Sequence, residues 1–160
     1  MYQLEPSLAY LIETLSVNPT KVEKVQRDIY FRSLSRLGIN KHIIETVRRM
    51  SRNYGGLNMF DLNIKCLGAK LHYLRTYWGT PTQEGRHLQQ MYEAFLMDIG
   101  IGGNIFDRNY KSLEYLSEHS WFKHLWRLCD KFNCKLEISF PSHIQEQRVG
   151  DKALMDVFLN

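Results

Sequence analysis

The sequence has no long apolar run and few cysteines, and each shortage excludes a class of protein. No stretch approaches the roughly 20 consecutive apolar residues that a membrane-spanning helix needs, which excludes a membrane-spanning role. The three cysteines are odd in number, and no charged start followed by an apolar run marks a secretory signal. We therefore expect reduced thiols in an intracellular protein, and the sequence does not distinguish the nucleus from the cytoplasm.

The chain also lacks the side-chain groupings on which common enzymes depend. Its aspartates stand singly, whereas nucleotidyl transfer by two metal ions needs carboxylates close enough to bridge both ions. The Tyr-x-Asp-Asp motif of polymerases, the Gly-x-Ser-x-Gly motif of hydrolases and the lysine of a phosphate-binding loop are absent. We predict no catalytic residue and no cofactor, and a small enzyme ranks last among the functions considered.

One spacing invites a zinc site. Histidine and cysteine, both zinc ligands, recur every five residues at His119, His124, Cys129 and Cys134. On a helix a step of five turns roughly 140° away from the starting face, whereas paired ligands lie three or four residues apart. We predict no metal site, with Cys129 in the core and His124 exposed.

Apolar residues recur three and four positions apart along most of the chain, which is the spacing of one helix face. The predicted inward faces are Leu8, Leu11, Ile12 and Leu15; Val22, Val25, Ile29, Leu34 and Leu37; Ile43, Ile44 and Val47; Ile64, Leu67, Leu71, Leu74 and Trp78; Leu88, Met91, Tyr92, Phe95 and Ile99; and Trp121, Phe122, Leu125, Trp126, Cys129 and Phe132. The predicted helix caps are Asn18 or Thr20, then Asn40, Asp61, Thr82 and Ser120. On these stripes the tryptophans are expected to pack in the core.

Residues 134–140 instead alternate apolar and polar side chains, the pattern of a half-buried strand. A strand needs a partner, and the sequence offers no second clear one. The predicted fold is therefore mainly α: a helical bundle-like domain of about six to seven helices with at most one short β hairpin or isolated strand. The last apolar stretch runs to the C-terminus without a stop signal, which suggests a fragment of a larger chain.

Length and composition fit one globular domain, since 44% of the 160 residues are hydrophobic and 24% are charged. The predicted organisation is a single domain, 1–160, with an N-terminal helix and break at 1–19, basic helices and an arginine and glycine turn at 20–60, a helical core at 61–133, and the strand with an incomplete C-terminal helix at 134–160.

Positive charge is concentrated in one fifth of the chain. The formal net charge is +4, with a sequence pI near 9.0. Between residues 21 and 52 only Glu23, Asp28 and Glu45 are acidic, and the basic residues are Lys21, Lys24, Arg27, Arg32, Arg36, Lys41, Arg48, Arg49 and Arg52. Such a distribution is expected of a surface that faces phosphates or acidic lipid.

Residues 48–59 place three arginines beside a tyrosine and a glycine pair. Glycines let backbone N–H groups approach a ligand closely, and arginines beside them indicate an anion. Two interpretations stay open, a charged turn between helices and an anion-binding site. For the second, the predicted nucleic-acid-binding residues are Lys41, Arg48, Arg49, Arg52, Tyr54, Gly55 and Gly56, with Tyr54 the candidate for stacking on a base.

The order of several motifs resembles the region that follows the catalytic core in reverse transcriptases of non-LTR retrotransposons. The motifs are Gln26 in a basic helix, Leu37-Gly38-Ile39-Asn40, Tyr54-Gly55-Gly56-Leu57-Asn58-Met59 with Asp61-Leu62, Ser120-Trp121 with Leu125-Trp126, Leu136-Glu137-Ile138, and Arg148-Val149-Gly150-Asp151-Lys152 with Leu154-Met155-Asp156. The resemblance covers roughly residues 22–159. Two residues depart from it: Ser51 stands where a proline is expected, and Asn58 where a third glycine is usual.

The resemblance implies a thumb or connection segment of an RNA-directed DNA polymerase. Such a segment holds an RNA or RNA–DNA duplex through its backbone, and the polymerase palm with its carboxylates would precede Met1. The alternative from another class of function is a helical protein-interaction module whose basic face meets an acidic partner.

Overall fold

The computed structural model describes residues 19–118, 120–139 and 157. The chain divides into two compact units: unit 1 is Met1–Glu13 with Val17–Ala69, and unit 2 is Thr14–Ser16 with Lys70–Asn160. The helix predicted around Leu8 to Leu15 lies outside the described residues, as does the C-terminal helix apart from Val157. The single-domain organisation stays a prediction.

The described residues form six α-helices, three 3₁₀ turns and no β-strand, which confirms the mainly α prediction. The helices are α1 (Pro19–Arg36), α2 (Glu45–Arg49), α3 (Leu62–Tyr77), α4 (Gln83–Ile99), α5 (Tyr110–Leu113) and α6 (Trp121–Phe132). The 3₁₀ turns are Arg52–Tyr54, Ile105–Asp107 and Glu114–Leu116.

The predicted helix caps Asp61, Thr82 and Ser120 are confirmed. Asp61 Oδ1 accepts a hydrogen bond from Asn63 N at 2.8 Å, directly ahead of α3. The Thr82 and Ser120 hydroxyls accept from the third amides of α4 and α6, at 3.1 and 3.0 Å. In each case a short polar side chain satisfies an amide that has no partner within its helix.

The prediction for Asn40 is wrong. Its Oδ1 accepts from His42 N at 2.9 Å and forms a local turn, whereas α2 begins only at Glu45. Asparagine favours both structures, because its side chain can bond to the backbone two residues ahead as well as cap a helix. The helix is therefore short, and Ile44, predicted to face inward, is 70% exposed.

Unit 2 is built on α4 and α6, whose predicted inner faces are largely confirmed. Tyr92 on α4 and Phe122 on α6 are both fully buried, with ring centroids 4.8 Å apart. Trp126 is 1% exposed, and its Nε1 donates to Arg108 O at 3.0 Å. Trp121 is 6% exposed, so these two tryptophans pack in the core as predicted.

His124, predicted to be exposed, is only 5% exposed, and that prediction is wrong. Helix α6 contacts α4 on one side and both α5 and the Ile105–Asp107 turn on others. A helix with several neighbours is buried over a wide arc, so one apolar stripe underestimates its core face.

The inner face predicted for α3 is partly wrong. Ile64 is 51% exposed, whereas Lys70 is fully buried. The Lys70 ammonium lies 4.2 Å from the centroid of the Trp121 ring. A cation above an aromatic face is stabilised by the ring's negative electron density, and the lysine's methylene chain packs as an apolar group.

The predicted strand at 134–140 is absent from its described part, residues 134–139. Burial still alternates, because Leu136 is half-buried and Ile138 buried while their polar neighbours are exposed. The carbonyls are satisfied by side chains: Asn104 Nδ2 donates to Leu136 O at 2.7 Å, and Trp78 Nε1 donates to Ser139 O at 2.8 Å. An extended segment thus gains strand-like alternation without a partner strand.

Two buried groups make the stability of the protein sensitive to alkaline pH. Burial raises the pKa of the Tyr92 phenol from 10.0 to about 12 and that of the Cys129 thiol from 9.0 to about 12. The folded protein keeps protons that the unfolded chain releases, so the free energy of unfolding should fall as pH rises from about 9 towards 12.

Urea unfolding followed by circular dichroism, at about pH 7, 9 and 11 under reducing conditions, measures this effect. In the Tyr92→Phe variant, the free energy of unfolding should fall less above about pH 10, by on the order of 2 kcal/mol. Tyr54→Phe is the control, because Tyr54 is 80% exposed. A free energy of unfolding that does not change over this range would contradict the prediction.

Candidate functional site

The arginine and glycine segment folds back on itself as a closed loop, called here the Arg/Gly loop (residues 48–59). Backbone hydrogen bonds close it: Leu57 N donates to Val47 O at 3.0 Å and Met59 N to Arg48 O at 2.8 Å. Asn58 N also donates to Met50 O at 2.9 Å. Since its two arms are joined through the backbone, the loop presents its tip in a defined position.

The glycine pair shapes this loop. Gly55 has φ 79°, a left-handed conformation that only glycine adopts readily, and its N–H donates to Arg52 O at 3.0 Å. A Cβ added at Gly56 would lie 2.0 Å from Met50 O, so the backbone passes there too closely for any side chain. The Gly56 N–H donates to Ser51 O at 3.1 Å. Both amides are thus used within the loop rather than directed at a ligand.

Asn58 and Ser51 both have local structural roles in this loop. Asn58 has φ 49°, a left-handed conformation that asparagine tolerates better than most residues. The Ser51 hydroxyl accepts from Asn53 N at 3.4 Å and caps the Arg52–Tyr54 turn. The loop therefore forms a tight turn without a proline or a third glycine.

Arg49 is held by two carboxylates. Its Nη1 lies 2.6 Å from Asp61 Oδ2, and its Nη2 pairs with Glu45 on the same helix. The Asp61 side chain is only 3% exposed, while that of Arg49 is 40% exposed. The charge of Arg49 is therefore already compensated, and its guanidinium links α2 to the start of α3.

A buried polar network lies around this ion pair in unit 1. Gln26 Oε1 accepts from Leu62 N at 2.9 Å, and Gln26 Nε2 donates to Tyr30 Oη at 3.0 Å. Burial raises the pKa of Tyr30, and the nearby Asp61 carboxylate raises it further. These contacts connect α1 to the first turn of α3 and give the Arg/Gly loop a fixed base.

The α1 face predicted from apolar spacing is partly wrong, although Leu34 is buried as predicted. Gln26, Tyr30 and Leu34 are buried, whereas Val25 and Ile29 are 53% and 39% exposed. Leu37, just after the helix, is 71% exposed. The buried side of the helix is the one that carries Gln26, because the Gln26 amide forms hydrogen bonds there with a backbone amide and a phenol. Sequence spacing alone carries no signal for such a long-range partner.

The remaining predicted binding residues differ in how far they reach solvent. Lys41 and Arg52 are exposed, Tyr54 is 80% exposed, and Arg48 is half-buried. The tip of the Arg/Gly loop, residues 52–54, thus presents a cation, an amide and an aromatic ring in one short turn. Asn53, which is exposed as well, was not among the predicted residues.

The described part of the chain also bears on metal and membrane sites. It contains no group of three or more histidine, cysteine, aspartate or glutamate side chains that could hold a metal ion. Within the same residues, no helix combines the length and apolar character needed to cross a bilayer. Compared with family models, curated proteins and solved structures, the chain matches none of them.

Proposed function

We propose that the chain is an accessory segment, of the thumb or connection type, of a retroelement RNA-directed DNA polymerase. In this role it binds an RNA or RNA–DNA duplex through the nucleic-acid backbone. The observation that carries the proposal is the exposed tip of the Arg/Gly loop, where Arg52 and Tyr54 are both exposed on one short turn of a closed loop. The ordered series of motifs in the sequence supplies the connection to reverse transcription.

The proposed contacts follow from positive charge and, for Lys41 and Arg52, from exposure as well. Lys41, Arg48 and Arg52 neutralise phosphates, and Tyr54 packs on a sugar or an unstacked base. Arg49 is left out of the contact set because Glu45 and Asp61 already pair with it. The glycine pair contributes through the shape of the loop. Contacts of this kind recognise the backbone and carry little sequence preference.

The proposal assigns no chemical step to the described residues. Phosphoryl transfer would be carried out by the palm of the parent polymerase, and this chain would hold the duplex in place. Its contribution to the reaction is therefore to bind template and primer and to hold them in the correct register.

Replacing Lys41, Arg48 and Arg52 together with alanine should weaken binding to an RNA–DNA duplex at least tenfold at physiological salt, because three phosphates are no longer neutralised. The matched control replaces Arg75, Arg86 and Lys111 in unit 2, all exposed, and changes the net charge equally. Fluorescence anisotropy with a labelled duplex measures both variants. Equally weakened binding in the two would show non-specific attraction and would contradict the proposed site.

A further inference from the structure

Exposed aliphatic side chains are concentrated in the basic unit of the protein. Among the described residues, the large aliphatic side chains of unit 1 that are strongly exposed are Val25, Ile29, Leu37, Ile44 and Ile64, with exposures of 53%, 39%, 71%, 70% and 51%. In the described part of unit 2, the exposed large hydrophobic residues are Met97, Tyr115 and Val157. Exposed aliphatic side chains that lie next to one another, unlike scattered ones, mark a surface that a partner covers.

Helix α1 has the most regular of these surfaces. Val25 and Ile29 lie four residues apart, and at 100° per residue they fall on the same side as Lys21, Arg32 and Arg36, within roughly 80° of arc. The side chains of all five are exposed, and the helix buries Gln26, Tyr30 and Leu34 on another side. We call Lys21, Val25, Ile29, Arg32 and Arg36 the outward face of α1. Asp28 lies at its edge.

The chemistry of this face selects among possible occupants. Phosphates would satisfy its basic residues but would gain nothing from covering Val25 and Ile29. A second copy of the chain would place the same positive charges opposite one another, which is unfavourable. An acidic amphipathic helix would satisfy both components, with its apolar side chains on Val25 and Ile29 and its carboxylates on the surrounding cations.

We propose that the outward face of α1 docks an acidic amphipathic helix of a partner protein. The site is separate from the tip of the Arg/Gly loop and does not rest on nucleic-acid binding. Aliphatic contacts at its centre supply affinity, and the basic rim supplies orientation and a fast, salt-sensitive association.

The test uses a synthetic helical peptide with leucines three and four residues apart and glutamates on the flanking positions. Its binding to the full chain is measured by fluorescence anisotropy. Val25→Lys combined with Ile29→Lys should weaken binding at least tenfold, although these changes add positive charge. Arg32→Gln combined with Arg36→Gln should weaken it severalfold and reduce its salt dependence. Met97→Lys, at an 80% exposed position of unit 2, is the control and should change nothing.

The variant with Val25→Lys and Ile29→Lys distinguishes apolar docking from charge attraction, because purely electrostatic attraction would make that variant bind the acidic peptide more tightly. Tighter binding by it would overturn the proposal. So would equal affinity for a peptide of the same composition with scrambled leucine spacing. Direct binding of duplex RNA or phosphatidylserine vesicles that the Val25→Lys and Ile29→Lys pair weakens at least tenfold would also overturn it, by assigning the face to those ligands.

Discussion

Replacing Gly56 with alanine is expected to lower the free energy of unfolding by about 3 kcal/mol and to open the Arg/Gly loop. The new Cβ would lie 2.0 Å from Met50 O and 2.4 Å from Met50 C, and neither backbone atom can rotate away as a side chain would. Met50 O also accepts from Asn58 N, so moving it breaks a hydrogen bond that closes the loop. Backbone strain and the loss of this hydrogen bond therefore both lower the free energy of unfolding.

Gly55→Ala is the matched comparison, since it adds the same methyl group one residue earlier. Gly55 has a left-handed φ of 79° and nothing within 4 Å of its added Cβ, so the cost should be only about 1 kcal/mol. Urea unfolding of both variants measures the difference. Hydrogen exchange of the Leu57, Asn58 and Met59 amides should accelerate far more in Gly56→Ala. Equal destabilisation would contradict the close approach to Met50.

Asp61→Ala is the second substitution with a large expected effect, again about 3 kcal/mol. It removes the cap that accepts from Asn63 N at 2.8 Å and the buried carboxylate that lies 2.6 Å from Arg49 Nη1. Arg49 then keeps Glu45 alone, on its own short helix. The link between α2 and the start of α3 is removed, and with it the base that fixes the Arg/Gly loop.

Asp61→Asn separates the two effects. Asparagine keeps an oxygen that can cap α3 but gives up the negative charge, so this variant should lose about half as much stability as Asp61→Ala. Glu45→Gln is the control for the exposed half of the arginine pair and should cost under about 1 kcal/mol, because the Glu45 side chain is 61% exposed. An Asp61→Ala variant as stable as Glu45→Gln would show that the buried pair is not a structural link.

Much of the helical framework could be predicted from local sequence. A cap such as Thr82 or Ser120 acts within its own first turn, so the residues needed to recognise it are adjacent in sequence. The α4 face, with Leu88, Tyr92 and Phe95 buried, was also predictable because a single stripe faces a single core.

The remaining features depend on partners far away in sequence. Gln26 is buried because Leu62 N lies 2.9 Å from it, 36 residues along the chain. Lys70 is buried because the Trp121 ring covers its ammonium. Polar residues are expected to be exposed until such a partner is known, and a single sequence does not name the partner.

The candidate site also combines features that local sequence predicts with features that only the folded structure reveals. That Arg52 and Tyr54 are exposed follows from their place in a turn, and the sequence singled out both. The role of the glycine pair did not follow, because the close approach at Gly56 is to Met50 of the same loop rather than to a ligand. Arg49 was likewise predicted to bind nucleic acid, whereas in the structure it pairs with Asp61.

The most direct test of the proposed function is the salt dependence of RNA–DNA duplex binding by the full chain, between about 50 and 200 mM salt. A plot of log affinity against log salt concentration should fall steeply, and the combined Lys41, Arg48 and Arg52 alanine variant should reduce the magnitude of the slope by about 2.7, or roughly 0.9 for each phosphate that is no longer neutralised. A slope near zero for the unmodified chain, or one that the variant leaves unchanged, would contradict backbone recognition at the Arg/Gly loop.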